Sequence, residues 1–90
     1  MSETQWVRDD SWVGAQVEDS FVMVNIDNGK YISLNPTASA VWEALEQPRT
    51  ASEIEQIIRS IFDVSAEACG QSVARLLQEM GDLQLASRSE

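Results

Sequence analysis

The residue best equipped for covalent chemistry in this chain is Cys69, its single cysteine. A thiol acts as a nucleophile or a metal ligand when a nearby cation or base lowers its pKa. The sequence contains no histidine, which is the commonest such base. Cys69 lies four residues before Val73 and eight before Leu77. This spacing predicts a small apolar residue packed on the buried side of a helix.

Carboxylates are the other reactive groups, with 15 Asp and Glu against 6 Lys and Arg. The adjacent pairs Asp9-Asp10 and Glu18-Asp19 are typical of solvated loops rather than of paired acid–base catalysts. Asp27-Asn28-Gly29 is too short for a calcium loop, and the sequence has no glycine-rich phosphate-binding motif. The residues therefore predict no catalytic group, no metal site and no cofactor.

The net charge of −9 bears on the kind of partner. The 6 basic residues are scattered, so no basic stripe is predicted and nucleic acid is an unfavourable partner. The acidic balance favours a cationic or neutral partner, although solubility alone explains it equally well. No apolar run approaches the ~20 residues of a membrane helix, and the sequence begins without a secretory signal. A single cysteine and no internal disulfide fit a cytoplasmic protein that binds no membrane.

Three strands followed by three helices must position any functional group. Alternating apolar residues predict strands at residues 11–17, 21–26 and 30–34. Between the last two, Asn28-Gly29 predicts a tight two-residue hairpin turn, since this pair supplies the positive φ angles that such a turn requires.

Capping residues mark where the helices begin and end. Asn35-Pro36 predicts the start of the first helix, because asparagine caps well and proline suits the first helical position. Thr50-Ala51-Ser52-Glu53 has the spacing of a capping box and predicts the second. Ser65 is the predicted cap of the third helix, and Gly81 is its predicted C-terminal glycine.

This order of elements predicts an α+β, winged-helix-like domain with a three-stranded antiparallel sheet followed by three helices. We expect the domain to span residues 11–85. Residues 1–10 are interpreted as a flexible N-terminal arm anchored by Trp6, and residues 86–90 as a C-terminal tail.

The predicted edge strand, residues 30–34, is the candidate binding site. An edge strand carries unpaired N–H and C=O groups, which can add an extended peptide as a further strand. For Ile32, Leu34, Val73 and Leu77 the spacing favours a core position, whereas Tyr31 and Leu76 lie at the edges of their apolar stripes. The candidate contact residues on the strand are Lys30, Tyr31, Ile32, Ser33 and Leu34.

One pattern extends over most of the chain: Gly29-x-Tyr31-x-x-Leu34-Asn35-x-Thr37-Ala38-x-x-Val41-Trp42-x-x-Leu45, then Pro48-x-Thr50-x-x-Glu53-Ile54, Phe62-x-Val64 and Cys69-x-x-x-Val73. It resembles the PqqD-like family, the leader-recognition domains of peptide natural-product biosynthesis, also called RiPP recognition elements. The resemblance covers about residues 12–85. It is greatest to the stand-alone members from lasso-peptide clusters.

The resemblance implies a winged-helix-like fold and a non-catalytic adaptor. It implies that the N-terminal leader of a precursor peptide binds in the groove between the third strand and the third helix. The candidate contact residues that this groove adds on the helix are Val73, Leu76, Leu77 and Met80. It also implies two partner enzymes, a transglutaminase-like leader peptidase and a cyclase that resembles asparagine synthetase. Gly70-Gln71-Ser72 departs from the pattern, since such proteins often carry charged residues there.

Other functions stay open at this point. Relatives in quinone-cofactor biosynthesis serve a radical-SAM enzyme as peptide chaperones, and this is the nearest alternative. The topology also permits a winged-helix DNA-binding regulator, which the charge disfavours. Phe21 and Met23 are candidates either for docking an enzyme or for cover by the N-terminal arm.

Overall fold

Two small antiparallel sheets and three helices form the computed structural model, which describes residues 4–89. In the hairpin sheet, β2, β3 and β4 lie in that order, and in the terminal sheet the order is β5, β1 and β6. No helix within residues 4–89 is long and apolar enough to cross a membrane. The elements are β1 (Gln5–Arg8), β2 (Trp12–Val17), β3 (Ser20–Asn25), β4 (Tyr31–Leu34), α1 (Pro36–Ala44), β5 (Arg49–Thr50), α2 (Ala51–Ile61), α3 (Ala66–Asp82) and β6 (Ala86–Ser89).

The hairpin sheet contains the three strands that the sequence predicted, but its second turn is wider than expected. Asn25 N–H donates to Lys30 C=O at 2.7 Å, so four residues separate this pair instead of two. The Asn25 side chain accepts the backbone N–H groups of Asp27 and Asn28 at 2.9 and 3.1 Å, which stabilises the longer turn. Gly29 has a φ of +75°, whereas Asn28 does not take a positive φ.

The predicted N-terminal caps of all three helices are confirmed. Asn35 Oδ1 accepts a backbone N–H of α1 at 2.8 Å, and Ser65 Oγ accepts one of α3 at 3.2 Å. At α2, Glu53 N–H donates to Thr50 Oγ1 at 3.2 Å, and Thr50 N–H donates to Glu53 Oε1 at 2.8 Å. These bonds satisfy N–H groups that have no partner inside the helix.

The prediction that Gly81 ends α3 is wrong, because the helix continues through Asp82. The residue with a positive φ is Gln84, at 62°. Leu85 N–H donates to Met80 C=O at 2.8 Å and Gln84 N–H to Gly81 C=O at 3.1 Å. This is the hydrogen-bond pattern of a Schellman motif, with glutamine in the position that glycine usually takes.

The terminal sheet was not predicted. Its central strand, β1, pairs with β6 from Gln5↔Ser89 to Arg8↔Ala86 and with β5 at Gln5↔Thr50. Much of the expected N-terminal arm and C-terminal tail is therefore strand, while residues 1–3 and 90 lie outside the described part of the chain. The mobility of these segments, and with it the domain boundaries at residues 11 and 85, stays a prediction.

The core lies between the helices and the inner face of the hairpin sheet. The predicted apolar stripes of the helices supply most of it, and Trp42 is buried as expected. Phe21 and Met23 point inwards, since Met23 is fully buried and Phe21 packs against the core. The largest fully buried side chains are Met23, Leu45, Ile54, Leu77, Leu85, Val41, Val73 and Cys69.

Two arginines of the terminal sheet stabilise the C-terminal end of α1. Arg8 Nε and Nη2 donate to Trp42 C=O at 3.0 and 2.6 Å, and the guanidinium lies 4.3 Å from the centre of the Trp42 ring. Arg49 Nε donates to Ala44 C=O at 2.6 Å. Because α1 has no basic residue in its own last turn, these two residues supply the positive charge that a helix C-terminus favours. Burial lowers the pKa of Arg8, against the raising effects of Glu46 and Glu43.

Candidate peptide-binding groove

Within the described residues, β4 pairs with β3 alone and is an edge of the hairpin sheet. The Asn25–Lys30 pair is hydrogen-bonded, and such pairs alternate along an antiparallel ladder. The register then makes Met23↔Ile32 hydrogen-bonded and Val22↔Ser33 not. The backbone N–H and C=O groups of Tyr31 and Ser33 therefore point away from β3.

A groove separates β4 from α3. At one end, an open cavity of about 550 Å³ is lined by Tyr31 and Ile32 and by Leu83 and Gln84, which follow α3. A second cavity, of about 130 Å³, lies among the three helices and contains no residue of β4. There Thr37, just after β4, lies near Ala68 and Ser72, in the first turns of α3. Because the start of α3 lies near the end of β4, the two elements run antiparallel along the groove.

The strand residues predicted for the site lie together along one wall. Tyr31 is 74% exposed and Ser33 is exposed, while Ile32 and Leu34 are half-buried and pack against the core. Lys30 is exposed but lies outside β4. Its C=O accepts from Asn25, and its N–H donates to Asn28 Oδ1 at 2.9 Å, so its backbone is already paired.

The helix residues predicted for the site lie under the groove rather than on its surface. Val73 is fully buried, Leu77 and Met80 are each 2% exposed, and Leu76 is 8% exposed. The prediction placed the contact surface on the apolar stripe of α3, and the structure places that stripe in the core. Leu76 lies at the margin of the stripe, as expected.

A different side of α3 lines the two cavities, and the sequence pattern indicated it only weakly. A Cβ at Gly70 would lie 3.0 Å from Glu55 of α2, and one at Gly81 would lie 3.8 Å from Trp6 of β1. The opposite side, at 100° per residue, carries Ala68, Ser72, Arg75, Glu79 and, just beyond the helix, Leu83. Ala68, Ser72 and Leu83 indeed line the two cavities. This side of α3 lies a little more than a quarter of a turn from the buried stripe, at 100° per residue.

The single cysteine of the chain is buried and lies against α2. Cys69 is 2% exposed, and its Sγ lies 3.5 Å from Glu55 C=O. Burial raises the pKa of the Cys69 thiol, Glu55 raises it further, and Arg59 opposes them. Among residues 4–89, no group of three or more His, Cys, Asp or Glu could hold a metal ion.

One sequence family matches most of this chain. Residues 20–86 match the sequence model of a family described as Coenzyme PQQ synthesis protein D (PqqD). The chain belongs to the PqqD family. The family that the sequence resembled is thereby confirmed. No match was found among curated proteins.

Two solved structures share the fold. TbiB1 in complex with the TbiA(beta) leader peptide is 22% identical, with a TM-score of 0.78 over 90% of this chain and 94% of that chain. Lasso peptide synthetase B1 complexed with the leader peptide is 20% identical, with a TM-score of 0.78 over 91% and 96%. These likenesses confirm the expected α+β fold of this PqqD-family chain.

Proposed function

We propose that this PqqD-family protein is a non-catalytic adaptor that binds the leader of a ribosomally made precursor peptide, a lasso-peptide precursor above all. The observation that carries the proposal is the free edge of β4, which faces α3 across an open groove. Support comes from the two proteins of the same fold whose structures contain leader peptides.

The leader adds to the hairpin sheet as a fourth strand, antiparallel to β4. The N–H and C=O groups of Tyr31 and Ser33 bond to it and supply affinity with little sequence preference. In this orientation, the N-terminal part of the leader lies near Thr37 and the cavity of about 130 Å³. Its C-terminal part passes the cavity beside Tyr31 and Leu83. The peptide to be processed thus leaves the groove at the β3–β4 turn.

Side chains of the groove read the leader sequence. Alternate leader side chains point towards α3, where Ser72, Arg75, Glu79 and Leu83 form the wall. Leu76 is the member of the buried stripe that such a side chain reaches first, while Val73, Leu77 and Met80 support the wall from below. Lys30 contributes its ammonium group at the exit, since its backbone is already paired.

The adaptor works with separate enzymes in the cytoplasm, a leader peptidase and a cyclase. Holding the precursor beside the enzyme raises its effective concentration, so a bound adaptor speeds processing without contributing a catalytic group. This mechanism makes the acceleration depend on the leader.

The test is a titration of isotope-labelled protein with the leader segment of its precursor, followed by backbone amide shifts. The largest shifts are expected on β4 and α3. Maximal shifts on α2 would contradict the proposed site. In a second arm, leader removal by the peptidase is timed with native and scrambled leaders. The adaptor should accelerate cleavage of the native leader alone, and equal acceleration of both would show that it acts on the enzyme instead.

A second candidate function follows from the family description, which names quinone-cofactor synthesis. In that case the same groove presents a peptide to a radical-SAM enzyme. Adding the adaptor to each purified enzyme with its peptide separates the two, because only the true partner's turnover should rise.

A further inference from the structure

The outer face of the hairpin sheet is apolar. Residues directly opposite each other on paired strands share a face. The register places Val13, Val24 and Tyr31 in one row and Ala15, Val22 and Ser33 in the next. No charged residue occurs in either row, although the chain as a whole carries a net charge of −9.

No other described element covers this outer face. Val13 is 53% exposed, Val24 40% and Tyr31 74%. Ile26, which is 65% exposed, extends this surface past the end of β3. The core instead lies behind Trp12 and Met23 on the inner face. Contiguous apolar surface of this kind on a small protein marks an interaction site more often than scattered apolar residues do.

Carboxylates surround the apolar rows. Asp10 precedes β2, Glu18 and Asp19 form the β2–β3 turn, and Asp27 lies in the β3–β4 turn, with Lys30 as the cation nearby. A second copy bound face to face would bring these acidic turns together, and like charges across an interface are unfavourable. A partner with an apolar patch bordered by lysine and arginine fits the surface instead.

We propose that this outer face docks the leader peptidase, through an apolar patch bordered by basic residues. The inference rests on the proposed function and extends it. Tyr31 joins the two surfaces, because its backbone lies on the free edge of β4 while its side chain lies on the outer face. A leader that leaves the groove at Tyr31 passes directly to an enzyme bound across Val13, Val24 and Tyr31.

The test uses single charge substitutions on the full-length adaptor. Val13→Glu and Ile26→Glu place a carboxylate on the outer face. Ile61→Glu is the matched control. Ile61 is 59% exposed on α2, so this substitution adds the same charge away from the outer face. For each variant, affinity for the purified leader peptidase is measured with leader present, and leader affinity is measured separately by fluorescence anisotropy. Circular dichroism verifies that each variant folds.

Val13→Glu and Ile26→Glu should weaken peptidase binding more than tenfold, while leader affinity changes less than twofold. Ile61→Glu should leave both affinities within twofold of the unmodified protein. Equal peptidase affinities for all three variants, or no binding of the peptidase to the unmodified protein, would overturn the inference. So would a concentration-dependent dimer that Val13→Glu dissociates, since a second copy would then cover the face. Failure of the unmodified protein to bind leader would refute the proposed function itself, a result that the anisotropy arm reports separately.

Discussion

Replacing Ser33 by proline tests the free edge of β4 most directly. The register directs the Ser33 N–H to the free edge of β4, away from β3. Proline therefore removes a donor that the sheet does not use. Edge strands tolerate proline at such positions, and the extended conformation of Ile32 suits a residue that precedes proline. We therefore expect Ser33→Pro to fold and to bind leader poorly.

The expected loss follows from the number of bonds at the edge. Tyr31 and Ser33 each offer one N–H and one C=O, so an added antiparallel strand can form about four bonds, each contributing about 1 kcal/mol. Proline removes the N–H at position 33. Its ring also holds the leader too far from the strand for the C=O of the same residue to accept a bond. Losing about two bonds costs about 2 kcal/mol, which corresponds to a roughly 30-fold rise in Kd.

Fluorescence anisotropy with a labelled leader measures this change, and two controls interpret it. Ser33→Ala keeps the N–H and should bind within twofold. Ile32→Pro removes an N–H that the register directs to Met23, so it should lower the melting temperature as well as binding. If Ser33→Pro binds leader as tightly as Ser33→Ala, strand addition at β4 is refuted. If Ser33→Pro melts as early as Ile32→Pro, the assigned register is wrong.

Other expectations concern stability. Cys69→Ala should lower the free energy of unfolding by about 1 kcal/mol in urea titration and leave leader binding and processing intact, because the thiol is buried in the core. The free energy of unfolding should fall as pH rises past 9.0, since burial raises the native thiol pKa and the unfolded chain releases that proton first; Cys69→Ala should remove this contribution. Arg8→Ala should lower the free energy of unfolding by about 2 kcal/mol and the melting temperature by about 10 °C. The reason is that the Trp42 C=O loses its hydrogen-bond donor and the Trp42 ring loses the cation above it. Arg8→Lys, which keeps the charge without the planar fork, should recover part of that loss.

Local signals predicted the hairpin sheet and the three helices well. Asn35, Thr50 and Ser65 each cap a helix through bonds that reach only three residues along the chain, so sequence spacing determines them. The β2–β3–β4 order followed from short connections between neighbouring strands. The end of α3 was mispredicted because Gln84 adopts a positive φ, which is uncommon for glutamine.

The terminal sheet illustrates what sequence patterns could not show. Gln5–Arg8 pairs with Ala86–Ser89, at the far end of the chain, and β6 is mostly polar, with no alternation to mark it as a strand. In the groove, the apolar stripe of α3 was the strongest signal, but such a stripe identifies the buried side of a helix. The side of α3 that lines the cavities carries Ala68 and Ser72, small residues whose role depends on which elements pack nearby.

Pairing between β1 and β6 also determines where the two ends of the described chain meet. Gln5 and Ser89 are cross-strand partners, so their Cα atoms lie about 5 Å apart. A host protein could accept this unit within a surface loop, because entry and exit need hardly more space than a single turn. A short glycine linker between the ends would likewise permit circular permutation, with new ends at the exposed α2–α3 connection. Since the proposed leader-binding edge belongs to the other sheet, such rearrangements would preserve it.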